Sequence, residues 1–156
     1  MEFLLLVPVI GLVAIYVAYR EWLNAAHKHW QAELDLFKKR LAAYEELKRA
    51  VAPLAAQGSV SQSDTERFAR AMESMQFLFD KDVETFVSGL YSALVKKHTL
   101  DLLLEKTAGR VQTDEDKALT EFARRRSREL GRTVAEGVYQ NMPKRMEKFM
   151  HPRPAA

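Results

Sequence analysis

Residues 20–58, REWLNAAHKHWQAELDLFKKRLAAYEELKRAVAPLAAQG, decide the fold class. Within them Leu23, Trp30, Leu34, Phe37, Leu41, Tyr44, Leu47, Val51 and Leu54 recur at spacings of seven, four and three, which puts them on one stripe of an α-helix. Such a stripe is either a coiled-coil seam or the core face of a bundle helix. Trp30, Phe37 and Tyr44 are bulky for a dimeric seam and Lys48 interrupts the strict heptad, so bundle packing is expected. Pro53 is expected to kink or end the helix, and Gly58 is a natural stop.

The remaining chain agrees with a helical class. Leu, Ala, Glu, Lys and Arg dominate, glycine and proline are few, and no stretch alternates apolar with polar residues. The expectation is an all-α protein: an N-terminal transmembrane helix (1–22), a helical cytoplasmic domain (23–142) arranged as a bundle or a long-helix hairpin, and a basic, disordered tail (143–156).

Upstream of the stripe, Phe3 to Tyr19 (FLLLVPVIGLVAIYVAY) carries no charge across seventeen residues. A helix of this length covers roughly 25 Å, near the lower limit for crossing a bilayer. Arg20 follows directly, where it can snorkel toward headgroups. A cleaved secretory signal is the competing reading, but Met1-Glu2 lacks a basic n-region and no small-residue cleavage site follows the run. Pro8 and Gly11 are tolerated in membrane helices. Basic residues appear only after the span, at Arg20, Lys28, Lys38, Lys39 and Arg40, so the C-terminal part is expected on the cytoplasmic side of a bacterial inner membrane, with the N-terminus outside. The absence of cysteine is compatible with a reducing compartment.

Downstream, Ser61…Asp64 and Ser63…Glu66 both have capping-box spacing, which marks a helix start without fixing its register. Phe68, Met72, Met75 and Phe79 continue an apolar face through Phe77-Leu78-Phe79, and the Met72–Phe79 cluster is expected to be core rather than a cofactor or peptide groove. Asp80 offers the next N-cap, for a helix bearing Val83, Phe86, Val87, Leu90, Leu94 and Val95, with Leu102 to Leu104 beyond and Gly109 closing it. Thr113-Asp114-Glu115-Asp116 is a further capping-box start, followed by Leu119, Phe122, Ala123, Leu130 and Val134. Pro143 is expected to end this helix.

No catalytic or metal-binding pattern emerges. His27 and His29 are two apart and diverge on a helix, while His98 and His151 stand alone. There is no Gly-rich phosphate loop, nucleophile elbow or H-E-x-x-H, and the lack of cysteine excludes thiolate chemistry. The acids at 114–116 lack calcium-loop spacing. Neither cofactor nor metal is expected, and the chain is expected to be non-enzymatic.

The basic excess lies in the last third, where eleven basic residues face seven acidic ones from Gly109 onward. Arg124, Arg125, Arg128 and Arg132 fall within about 100° of one another on a helical wheel, opposite the apolar side. This face suits anionic phospholipid or an acidic protein partner. It also suits a solvated face in which Glu121 pairs with Arg125, and Glu129 with Arg125 or Arg132. Nucleic acid is not expected, because aromatic interleaving and base-reading motifs are missing.

Leu34-Asp35-Leu36-Phe37-Lys38-Lys39-Arg40, Tyr44-Glu45, Gly58-Ser59-Val60-Ser61 and Phe77-Leu78-Phe79-Asp80-Lys81-Asp82-Val83 resemble a family of small bacterial membrane proteins with one N-terminal span and a helical cytoplasmic domain. The likeness covers roughly residues 20–105, and its best marker is the Phe-Leu-Phe-Asp segment. The resemblance implies membrane location and fold, and no activity. Together these observations lead to the expectation of a membrane-anchored helical interaction or scaffold protein, with a homo-oligomer or an unidentified protein as its partner. The alternatives are a periplasmic helical protein with a cleaved signal, and an accessory subunit of a membrane enzyme or transporter.

Overall fold

A computed structural model describes residues 3–108 and 113–150, with side chains from Ile15 onward. The elements are α1 (Phe3–Gln57), α2 (Gln62–Met75), α3 (Lys81–Thr107), α4 (Asp114–Glu136), a π-turn (Gly137–Asn141) and α5 (Met142–Met150). The protein is all-α. Because α4, the π-turn and α5 follow one another without a break, four helices pack as a bundle.

The chain divides into two units, one running through Phe37 and the bundle from Lys38 onward. In the first, Ile15, Tyr16, Val17, Tyr19 and Trp22 are exposed, and the rings of Tyr19 and Trp22 stack at 6.3 Å. The side chains of residues 1–14, most of the stretch expected to cross a membrane, lie outside the described residues. Among the described residues no helix is long and apolar enough to cross one.

Cross-helix contacts fix the topology of the bundle. Arg40, Tyr44 and Lys48 of α1 meet Phe149, Val138 and Tyr139 in turn, so α1 runs antiparallel to the fourth helix. His98 of α3 donates from Nδ1 to the Val60 carbonyl at 2.9 Å and Tyr91 stacks on Phe68 at 6.0 Å, which makes α2 antiparallel to α3. Ser127 meets Asp101, and Lys148 meets Asp80, so α3 and α4 are antiparallel as well. The order is up–down–up–down. The core comprises Leu47, Val51 and Leu54 of α1, Phe68 and Met75 of α2, Val83, Val87, Leu90 and Leu94 of α3, and Val134, Val138, Met142 and Met146 of the fourth helix.

Capping chemistry sets the helix starts. Of the two boxes before α2, Ser61…Asp64 is the one used: Ser61 Oγ accepts from Asp64 N, and Asp64 Oδ2 accepts from Ser61 N at 3.1 Å. Asp80 caps α3 through Val83 N, and Thr113 with Asp116 forms the box that opens α4. Gly58, at φ +71°, ends α1, as expected of a residue that enters the left-handed region without strain.

Several expectations are corrected. Of the two effects expected of Pro53, a kink or an end, the end is excluded: α1 continues to Gln57 and stops at Gly58. The second helix stops at Met75, and residues 76–79 form a turn that leaves Phe77 exposed rather than in the core. Trp30, Leu34, Leu41, Leu102, Leu103, Leu119 and Phe122, counted on apolar faces, are also exposed. Pro143 does not end the fourth helix, and the start of the expected disordered tail is helical through Met150, with Met142 and Met146 buried. Residues 151–156, His151 among them, and Gly109 lie outside the described residues.

The π-turn explains how Pro143 is accommodated. A proline in a helix interior lacks an N–H, and its ring crowds the carbonyl four residues back. Here the helix widens just ahead of it, and Met142 N donates to Gly137 O in an i→i+5 bond. The next bond of that pattern would join residue 143 to Val138 O, and proline cannot donate it. The Tyr44 hydroxyl donates to that carbonyl instead, at 3.2 Å. Burial, the leading influence, raises the Tyr44 phenol above its usual value and favours this donating form.

Candidate functional site

At the Gly58 end of the bundle, α3 and α4 face an open groove of about 460 Å³. Its lining includes Lys97, Asp101, Glu121, Arg124, Ser127 and Arg128.

Lys97 falls in the apolar register of α3, one turn after Leu94, and is only 3 % exposed. Gly131 of α4 makes room for it. A Cβ there would lie 3.1 Å from Lys97 Cε and 3.2 Å from Leu54 Cδ1. The ammonium donates to Asp101 Oδ2 at 2.7 Å and to Ser127 Oγ at 3.0 Å, and Ser127 Oγ donates to Asp101 Oδ1 at 2.5 Å. These bonds form a closed triangle that clamps α3 to α4. A serine–lysine pair acts as a nucleophile only when the amine can take the hydroxyl proton. In this triangle the carboxylate accepts both the hydroxyl hydrogen and the ammonium, and Ser127 is buried, which suits a structural clamp.

The walls of the groove carry two arginines and one glutamate, Arg124, Arg128 and Glu121. Arg124 is exposed, with no ion pair among the described residues. Arg128 approaches Glu121 at 3.8 Å, both side chains being well exposed. Of the four arginines singled out from the sequence, Arg124 and Arg128 line the groove, whereas Arg125 and Arg132 are exposed but are not part of its lining. Arg132 Nε is engaged by Glu136 at 2.5 Å, and this hydrogen bond raises its already high pKa further. The expected pairs are exchanged: Glu121 takes Arg128, and Glu129 takes Arg126 at 3.0 Å.

Lys97, Asp101 and Ser127 escape a sequence reading. The available signal is that Lys97 and Asp101 fall in the Leu90, Leu94, Leu104 register of α3, which is otherwise apolar. His27 and His29 are exposed, and no group of three His, Asp or Glu suited to a metal occurs among the described residues. No family model, curated protein or solved structure matches the chain.

Proposed function

We propose that the chain is a membrane-tethered helical interaction protein in which Phe3–Tyr19 is the tether and the Arg124–Arg128 groove receives an acidic segment of a protein partner. In this reading the helical part is cytoplasmic, in keeping with the basic residues that follow the apolar stretch. The observation that carries it is the pairing pattern of the groove. Its floor, Lys97–Asp101–Ser127, satisfies itself, while Arg124 on the wall has no ion pair among the described residues. A concave site with exposed guanidinium groups suits carboxylates on a protruding chain better than a planar sheet of headgroups, because guanidinium groups engage carboxylates in bidentate pairs.

The test is a photo-crosslinker at position 125, activated in intact cells, in wild type and in the Arg124→Glu/Arg128→Glu variant. A discrete protein adduct in wild type that the charge reversal abolishes supports the reading. An adduct unaffected by the reversal, or one to phospholipid alone, overturns it. Labelling of a cysteine placed in the C-terminal tail by a membrane-impermeant periplasmic reagent would refute the topology.

A further inference from the structure

We propose that the other end of the bundle, formed by the α2–α3 turn and the start of α3 beside α5, docks on an anionic phospholipid surface with Phe77 inserted at headgroup level. Phe77 is 90 % exposed, the most exposed of the large apolar side chains described. It is held in that position from several sides. Leu78 N and Phe79 N both donate to the carbonyl of buried Met75, at 3.0 and 3.2 Å. Arg40 Nε donates to Leu78 O at 2.8 Å, and Phe79 meets Phe149 edge-to-face at 5.4 Å. Asp80 caps α3 and pairs with Lys148. A turn fixed this firmly presents its phenylalanine to the exterior.

Cations lie at the same end of the bundle. Lys38 and Lys39 are exposed where the chain enters the bundle, and Lys81 is exposed beside the turn. A second open groove, about 460 Å³, lies between the start of α3 and α5, lined by Lys144, Arg145 and Lys148 together with the acids Asp82 and Glu147. Arg145 lies over the Phe86 ring at 4.3 Å. Asp80 and Glu84 are taken by Lys148 and Lys81, whereas Lys38, Lys39 and Lys144 have no ion pair among the described residues. An exposed aromatic side chain at an end of the bundle where basic residues (Lys38, Lys39, Lys81, Lys144, Arg145 and Lys148) outnumber acidic ones (Asp80, Asp82, Glu84 and Glu147) is a combination that partitions into an anionic interface. The occupant follows from shape and charge: Phe77 projects alone from a turn between Gln76 and Lys81, without the contiguous apolar patch a protein partner would bury.

This docking stands beside the tether reading and is tested separately from it. The chain contains no cysteine, so Gln76→Cys and, at the far end of the bundle, Gln62→Cys can each carry an environment-sensitive fluorophore in the full chain. The labelled chains are mixed with vesicles of phosphatidylcholine alone or with phosphatidylglycerol added. The expected result is a blue shift at position 76 that requires phosphatidylglycerol, is absent at position 62 and is lost in Phe77→Ser. Lys144→Ala should weaken the lipid dependence roughly fivefold. Retention on phosphatidylcholine vesicles reports the tether alone. A label at 76 that stays in water with phosphatidylglycerol, a shift that survives Phe77→Ser, or one that needs only higher protein concentration overturns the docking, whether or not the tether holds.

Discussion

Leu90 occupies the space that a side chain at Gly137 would need. A Cβ built there would overlap Leu90 Cδ2 and lie 2.9 Å from Cδ1. Leu90 is buried, and Gly137 opens the π-turn where the fourth helix packs on Leu90 of α3. Gly137→Ala gains about 1 kcal/mol of helix propensity, but overpacking of this kind costs about 1–3 kcal/mol. We expect net destabilisation in urea unfolding followed by circular dichroism. Gly89, exposed in α3 with nothing within 4 Å of its would-be Cβ, is the control. Gly89→Ala should be stabilising by about 0.4–1 kcal/mol. Equal effects at the two sites would refute the packing account.

Tyr44→Phe tests the accommodation of Pro143. The substitution keeps the ring but leaves Val138 O, in a fully buried residue, without its donor. The expected cost is about 1–2 kcal/mol. The phenol's raised pKa means that its contribution is fully present below the unfolded value of 10.0 and is lost as pH rises through the higher folded value. The variant should therefore lack part of the alkaline loss of stability seen in wild type, as measured by unfolding midpoints on either side of that range.

The two capping carboxylates make the opposite prediction at acid pH. Asp80 is held below its usual 3.8 chiefly by the hydrogen bond from Lys148, with help from Val83 N. Asp116 is held down by the backbone N–H of Thr113 and then by its hydroxyl. Lowered folded values mean stability that is present above 3.8 and disappears as pH falls through them. Asp80→Asn retains a capping side chain but loses this dependence. If its midpoint falls as steeply as that of wild type from about pH 5 to about pH 2, the assignment fails.

Much of this architecture is legible in the chain. The Leu47–Val51–Leu54 stripe and the starts at Ser61, Asp80 and Thr113 are encoded by neighbours three or four residues apart, a range within which sequence spacing and spatial contact coincide. What stays hidden depends on a second helix. Pro143 reads as a stop because nothing nearby announces that Gly137 will widen the helix or that a tyrosine ninety-four residues earlier will satisfy Val138. Nothing local to Lys97 announces that Asp101 and Ser127 close around it. Phe77 fits an apolar run, yet the bonds to Met75 O turn it outward. On α4, Glu121 and Glu129 pair with Arg128 and Arg126 although Arg125 lies four residues from each.

The Lys97 clamp should show strong coupling. Asp101→Ala leaves a buried ammonium with Ser127 alone and is expected to cost about 1–3 kcal/mol. Replacing all three polar groups together, Lys97→Met/Asp101→Ala/Ser127→Ala, removes the unmatched charge and should cost less than the sum of the single changes. Additive free energies in chemical denaturation would show that the three groups act independently.

Arg40 joins three parts of the bundle through one guanidinium, and the chemistry of the fork decides the outcome of its replacement. Nε bonds to Leu78 O at 2.8 Å, Nη1 reaches Phe149 O at 3.4 Å, and the planar group lies 5.0 Å from the Phe149 ring centroid and 5.9 Å from that of Phe79. Lysine keeps the charge but carries its donors at one point, so it cannot reach both carbonyls while stacking on the rings. Arg40→Lys should cost about 1–2 kcal/mol, from one charge-assisted hydrogen bond and part of the cation–π attraction. Arg40→Ala should cost more, because the packed stem is lost as well. The loss should be local before it is global: in hydrogen exchange, the amides of Leu78 and Phe79 should lose protection in Arg40→Lys while those of Leu94 and Val134 keep theirs. Uniform loss across all four would mean that Arg40 contributes to overall stability without fixing the turn, and would remove the rigid presentation of Phe77 on which its docking depends.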